Sequence, residues 1–570
     1  MSHRRLALLL GFTALLVYNG NLRLIAQGDS FPARFLPFAL WRDGTVYLDP
    51  VLEATIQRNP DPYWIQPTLN GHEASLFPIV TPVLVAPVYA PAVAYLQATG
   101  WKPADLERVG VIMEKLAASL VASLAVGLTY LVLRRRMTSR WALLLAALFA
   151  FGTGTWSTSS QALWLHAMAE LLAVAALWCF TGEPTRGRAA LAGAAVALLA
   201  ANRPPDLFLA LALAAYAPVW ARRKTPFFAL GGAIAGLPFL AYNLISFHHP
   251  VGAWSMFLHG AFFHHSILSG LAGLLFSPGR GLFVFWPFLL FLPWGIYRSV
   301  RDPQTRWLAL CLAGGVALHV FFYAQIDWRG GECYGPRYLL DMVPFLIWLL
   351  APALPALGGL ARTVFLVLAL FSVGVEAVGA FLYMGTSNRI LYQGEYPFEM
   401  QTFWRPENTP FLIEARNRRP EANFLDALRE LGKPATDLPP RTGPVSDFYT
   451  VIPCRLADSR SGRPLSHVRG RRIRIAGAGC SIPSSAVAVT GNVVLLGVTG
   501  RGTALLRADL DRGALSLPFT AAEARSAPVI LPLSLDGSLA VTLAGRGTAH
   551  FVLDVTGYFA PARPPAAVAR

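Results

Sequence analysis

A bundle of transmembrane helices followed by a small all-β domain is the fold class predicted by this 570-residue sequence. Its composition is 54% hydrophobic and only 14% charged, with a mean hydropathy of +0.46, outside the range of an ordinary soluble domain. Apolar runs long enough to cross about 30 Å of hydrocarbon as helices recur from residue 6 to about 384. The pattern then changes. Residues 385–445 are polar and rich in Pro, Arg and Glu, and residues 446–562 carry short strand-like runs such as AVAVTGNVVLLGV separated by Gly, Asp and Ser. A disordered tail is expected at 563–570.

Helix cores are predicted near 6–26, 112–133, 141–155, 164–181, 188–201, 206–220, 227–245, 282–297, 307–324, 338–353 and 364–384, about eleven spans. The run 76–98 is apolar too, but its four prolines disrupt helical hydrogen bonding and predict a re-entrant or surface segment. The first apolar run lacks a small-residue cleavage site and is predicted to be a retained helix rather than a removed signal peptide. Basic clusters in MSHRR, RRRMTSR, TRGRAA, ARRKTP and YRSVRDPQTR place those loops in the cytoplasm, because Lys and Arg concentrate there. An odd span number then puts the C-terminus outside. The outer face holds residues 27–110, the turn ANRPPD, residues 246–281 and the segment WRGGECYGPRYLLDMVP at 328–344. Charged groups near the membrane must pair, reach water or bind something, so these loops are the candidate site.

Several of these stretches resemble the GT-C superfamily of polytopic glycosyltransferases, which includes the protein mannosyltransferases and the bacterial lipid A aminoarabinose transferases. QGDSFPARFLPFALWRDGTVYLDP puts an early acid, Asp29, in a long loop after the first helix. NGHEASLFPIVTPVLVAPVYA is similar to the superfamily's proline-containing segment before the second helix. LTYLVLRRRM, LLAANRPPDLFLALAL, LFSPGRGLFVFWPFLL and the segment at 328–344 are similar to later motifs, in the same order along residues 5–384. The acid in GDS lacks the adjacent paired acid of many members, so a divalent metal is only an optional assistant here and no metal ligands are assigned.

The resemblance implies sugar transfer from a polyprenyl-phosphate-linked donor to a glycan, lipid or protein acceptor on the outer side of a bacterial inner membrane. Such transfer needs a base for the acceptor hydroxyl and cations for the phosphate, and the planar fork of arginine suits the latter. Asp29 is the candidate base, with Asp49 second; His72 and Glu73 stand beside them as substrate contacts. Arg280 and Arg337 are the candidate phosphate contacts, with Arg203 and Arg329 behind them, and Tyr334 belongs to the same aromatic and polar segment. Each residue also has a structural reading. Asp29 could cap or salt-bridge its loop, and Arg280 in SPGRG could belong to a turn. Gly330, Gly331 and Gly335 permit a tight turn, and Asp341 could be an i+4 ion-pair partner of Arg337. Five histidines, His248, His249, His259, His264 and His265, crowd the third outer loop without the spacing of a metal motif.

FYTVIPCRLADSR and AHFVLDVTGYFAP resemble a module of secreted bacterial proteins with a Pro-Cys-Arg-Leu-x-Asp-(Ser/Thr)-Arg opening and an Asp-Val-Thr-Gly-Tyr-Phe close, which implies an extracytoplasmic β-sandwich. Cys454 and Cys480 both lie in it, where an oxidising compartment permits a disulfide. The net charge of +16 is spread over loop anchors and this domain without any nucleic-acid motif, so anionic lipid is the expected partner rather than nucleic acid. The competing functions are a transporter or flippase of lipid-linked saccharides and a non-catalytic envelope anchor for the β domain. A transporter predicts ionisable groups deep in the bundle, where only Glu114, Glu170 and Glu376 lie.

Overall fold

The structure is a computed structural model that describes residues 2–25, 28–51, 63–258, 266–392, 400–417, 423–431, 446–466, 471–508, 515–521, 524–534 and 536–561. The chain divides into two compact units, residues 1–391 with 401–434, and residues 392–400 with 435–570. His259, His264, His265 and the tail 563–570 lie outside the described residues.

In the first unit each predicted core overlaps helix, but the first helix ends at Asn19 and the α-helix of the core predicted at 338–353 starts only at Val343. Among the described residues, five helical runs are long and apolar enough to cross a membrane, against the eleven or so spans expected: Val80–Thr99, Pro103–Arg134, Pro204–Phe247, Arg306–Ala324 and Gly359–Leu382. Shorter apolar helices include Ser139–Phe151, Leu165–Phe180 and Val343–Ala356. The core predicted at 282–297 is broken into Leu282–Phe285, Pro287–Phe291 and Leu292–Arg301, with Pro287 and Pro293 at the starts of the second and third pieces. Proline has the opposite effect on the run predicted to re-enter. Pro87 and Pro91 each sit in the first turn of a new helical piece, where an N–H is not required, so 80–99 stays helical throughout.

The surface of these helices is apolar where a soluble protein's would be polar. Leu230, Ile234, Leu237 and Ile245 on Thr225–Phe247 are all exposed, as are Leu360, Val367 and Leu370 on Gly359–Leu382. Hydrocarbon is the solvent that tolerates such faces. Close packing between helices comes from small residues. A Cβ on Gly193 would lie 1.8 Å from the Phe228 carbonyl oxygen, and one on Gly231 would lie 2.0 Å from that of Ala190. The helices Arg186–Asn202 and Thr225–Phe247 therefore approach backbone to backbone.

The loop after the first helix is largely helical. Phe31–Asp43 packs its Phe35, Leu36 and Phe38 inward, and Arg34 forms a buried 2.6 Å ion pair with Glu114. A two-stranded ladder, Ile65–Pro67 with Glu73–Ser75, closes the rest of the described loop.

The second unit is one seven-stranded antiparallel sheet built around two long strands, Ala488–Arg507 and Ser538–Pro561, which pair with each other. Ser446–Asp458 pairs with the far part of Ser538–Pro561, and Arg525–Pro532 with the near part of Ala488–Arg507. A register shift between Leu496 and Thr499 lets the long pair bend. Val489, Val493, Leu539, Val541, Phe551 and Leu553 fill the core. Among the described residues these strands make one connected ladder. Cys454 and Cys480 form a disulfide. The two ends of the sequence signature meet across the Arg455–Asp554 register, where the guanidinium donates at 2.8 and 3.0 Å to both oxygens of Asp554.

Candidate functional site

The segment 328–337 contains three glycines because it turns three times through the left-handed region. Gly330, Gly331 and Gly335 have φ of 78°, 69° and 68°, a conformation that side-chain-bearing residues adopt at a cost. Arg280 staples the turn. Its Nε donates to the Arg329 carbonyl at 2.8 Å, and its other nitrogens donate to the carbonyls of Gly279 and Gly331 and to Asn388 Oδ1, at 3.0 to 3.1 Å. It is 1% exposed. Arg329 folds onto Asp327 through a two-pronged contact at 2.7 Å. Tyr334 is buried, with its hydroxyl donating 2.6 Å to the Val375 carbonyl and its ring edge-on to Phe285. Arg280, Arg329 and Tyr334 are therefore engaged in shaping the loop.

Arg337 has a different position. One guanidinium nitrogen donates 2.9 Å to Asp29 Oδ2, joining residues 308 positions apart, while the plane lies over the Trp164 ring at 4.5 Å. Its Nε has no hydrogen-bond partner. The Tyr63 hydroxyl donates to the other Asp29 oxygen. Burial alone would lower the Arg337 pKa, but the adjacent Asp29 carboxylate more than offsets this and raises it, so the guanidinium stays charged. Partial burial and then the Asp29 charge raise the Tyr63 phenol above its ordinary value, which keeps it a neutral donor. The Asp29 side chain remains 22% exposed, so a cation, a hydrogen-bond donor, an aromatic face and a reachable carboxylate converge at one spot.

Directly behind lies a buried ionic cluster. Asp341 does not pair with Arg337 as the i+4 spacing suggested; it accepts from Arg203 and contacts His166 Nδ1 at 2.7 Å. Arg203 also faces the Tyr323 ring, and Tyr323 stacks on Tyr338 at 4.3 Å. Asp206 and His319, 3.8 Å apart, complete the group. Among the described residues, Asp206, His319 and Asp341 are the set whose ligand atoms lie close enough together, within 4.8 Å, to hold a metal ion. His166 and His319 were missed in the sequence. The only available signal was a histidine inside a strongly apolar helical run, in ALWLHAMAE and VALHVFF.

The remaining candidates form a separate group. Asp49 accepts from the Glu73 backbone N–H at 3.0 Å and lies 3.4 Å from His72 Nδ1. His72 stacks on Tyr47 at 4.4 Å, and Tyr47 contacts Ser246. Asp49 thus organises the Glu73–Ser75 strand and orients His72. His248 caps the helix Thr225–Phe247 with φ 50°, and His249 Nδ1 accepts from the Val251 N–H at 3.3 Å, so both belong to a turn. The three deep acids have protein partners. Glu114 pairs with Arg34, Glu170 accepts from Ser159 at 2.8 Å, and Glu376 accepts from Trp286 at 2.7 Å and from Ser157.

No family model and no curated protein matches the chain. Among solved structures it is similar to the crystal structure of ArnT from Cupriavidus metallidurans in the apo state, at 15% identity and a TM-score of 0.40. The match covers 69% of this chain and 66% of the other, so the chain spans just under two thirds of that neighbour.

Proposed function

We propose that the protein is an integral membrane glycosyltransferase that moves a sugar from a polyprenyl-phosphate-linked donor to an envelope acceptor on the extracytoplasmic face of a bacterial inner membrane. The observation that carries this reading is the Asp29–Arg337 pair at 2.9 Å, reachable from solvent and set against Trp164. Asp29 accepts the acceptor hydroxyl proton, and Tyr63 orients it. Arg337 meets the phosphate with its remaining donors as negative charge develops on the leaving group. Arg203, held by Asp341, supports the same positive region. Trp164 provides the aromatic face on which a sugar ring packs. The Cys454–Cys480 disulfide supports an extracytoplasmic C-terminal unit, and we read that unit as the secreted module named above.

Glu114, paired with Arg34, and Glu376, held by Trp286 and Ser157, favour transfer over transport at those two positions, because a transport path needs ionisable groups free to exchange partners. The test is transfer of labelled sugar from a panel of polyprenyl-phosphate sugars in membranes containing wild type, Asp29→Asn or Arg337→Ala. Wild type is expected to transfer from one donor, and each variant at normal expression is expected to lose roughly 100-fold or more. Wild-type inactivity with every donor, or full activity of Asp29→Asn, would refute the mechanism.

A further inference from the structure

Asp206, His319 and Asp341 come from three separate segments: the start of Leu207–Ala221, the interior of Arg306–Ala324 and the turn before Val343–Leu350. All three are 0% exposed. Neither oxygen of Asp206 has a hydrogen-bond partner. A buried carboxylate in that state is strongly unfavourable unless something neutralises it. Among the described residues Arg203 is the permanent cation that faces the two carboxylates, since Arg337 is paired with Asp29, and the other groups against them are the imidazoles of His166 and His319. His166 contacts Asp341, with its Nδ1 2.7 Å from Asp341 Oδ1.

The histidine geometry points to the missing charge. His319 Nε2 lies 3.2 Å from the Tyr338 carbonyl oxygen, and only an N–H can be satisfied there. With the ring proton on Nε2, the Nδ1 lone pair faces Asp206 Oδ1 at 3.8 Å and the Pro205 carbonyl at 3.3 Å, all electron-rich atoms. A backbone carbonyl holding the far nitrogen of an imidazole whose lone pair meets carboxylates is the outer arrangement of a histidine metal ligand.

We propose that Asp206, His319 and Asp341 bind one divalent transition-metal cation. One imidazole and two carboxylates suit ions of the zinc or manganese kind, whereas magnesium and calcium prefer oxygen alone. Ligands about 2.1 Å from a common ion lie at most about 4.2 Å apart. The 4.8 Å spread therefore closes with small side-chain rotations. Asp341 keeps Arg203 and His166 while using a further lone pair, because a carboxylate offers about four acceptor positions. The ion would lock Asp341, four residues on from Arg337, and through it Arg203. This inference does not depend on the reaction proposed above.

The full-length protein is purified in detergent, stripped with EDTA, equilibrated with Zn²⁺ or Mn²⁺, desalted and assayed for metal by plasma mass spectrometry. Wild type is expected to retain about one ion per chain, and Asp206→Asn and His319→Gln at least 10-fold less at the same free metal. His72→Ala, which alters the exposed Asp49–His72 pair, is expected to retain the wild-type amount. Equal metal in wild type and Asp206→Asn would overturn the proposal and leave a proton as the neutralising charge. Loss of metal in His72→Ala alone would overturn it by placing the ion elsewhere. If the buried-site variants do not fold, the stripped wild type decides: metal is expected to raise its Tm, and an unchanged Tm overturns the site.

Discussion

Arg337 shows why residue type matters more than charge here. It joins an ion pair with Asp29, a stack on Trp164 and an Nε free of hydrogen bonds. Lysine keeps the charge but loses the plane and the fork. Arg337→Lys is therefore expected to lower kcat/KM for the lipid donor by about 10- to 100-fold, with KM rising, while expression and Tm stay near wild type. Steady-state transfer kinetics check this, and unchanged kinetics would mean that only the charge is used. The sequence singled out Asp29, Arg337 and Arg203 through the chemistry their loops required. It could not show that Asp29 and Arg337 touch, because no local pattern links positions 308 apart. Asp206, His166 and His319 were not singled out at all, since a buried polar residue in an apolar helix looks the same in sequence whether it has one neighbour or four.

At the scale of elements, the turn 328–337 is held together by one buried arginine. Arg280 was read as a phosphate contact, and the structure has it donating to three backbone carbonyls and Asn388. Removing it leaves buried acceptors unpaired, each worth about 1–3 kcal/mol. Arg280→Ala is expected to lower Tm and yield sharply, and Arg280→Lys to rescue neither, because one ammonium cannot span four acceptors. Thermal unfolding in detergent checks this; a stable Arg280→Ala protein with only a raised donor KM would restore the phosphate role. In the second unit, the disulfide closes a loop of 26 residues and contributes about 3 kcal/mol by loop entropy. Reduction is expected to speed protease cleavage within residues 446–561, and hydrogen exchange of those strands would measure the loss. Unchanged exchange would show that the core of Val489, Leu539 and Phe551 suffices.

At the scale of the whole molecule, the membrane reading rests on helices that are apolar on both the packed and the exposed side. Along Thr225–Phe247 the buried residues are Gly231 and Ser246, and the large apolar side chains face outward. Ile234 in that run is 68% exposed. In water, lysine at such a site would be neutral or helpful; in hydrocarbon it costs about 2.5–3.5 kcal/mol. Ile234→Lys is thus expected to reduce inserted protein several-fold, measured as the carbonate-resistant membrane fraction, and normal insertion would argue that this face meets protein or water instead.

The sequence by itself determined that an apolar helical part precedes a strand-rich part, and where most of the helices lie. These follow from hydropathy, charge and turn residues, which act over short stretches of chain. It did not determine how many helices are long enough to cross, because Pro87 and Pro91 start helical pieces while Pro287 and Pro293 divide one, and the difference depends on what each piece packs against. Only the tertiary structure decided that Arg280 holds a turn, that Arg337 meets Asp29 and that Asp341 turns inward to Arg203 and His166. Burial sets those outcomes: a charged group removed from water takes whichever partner the fold brings within about 3 Å, and that partner is fixed by packing across the bundle rather than by position along the chain.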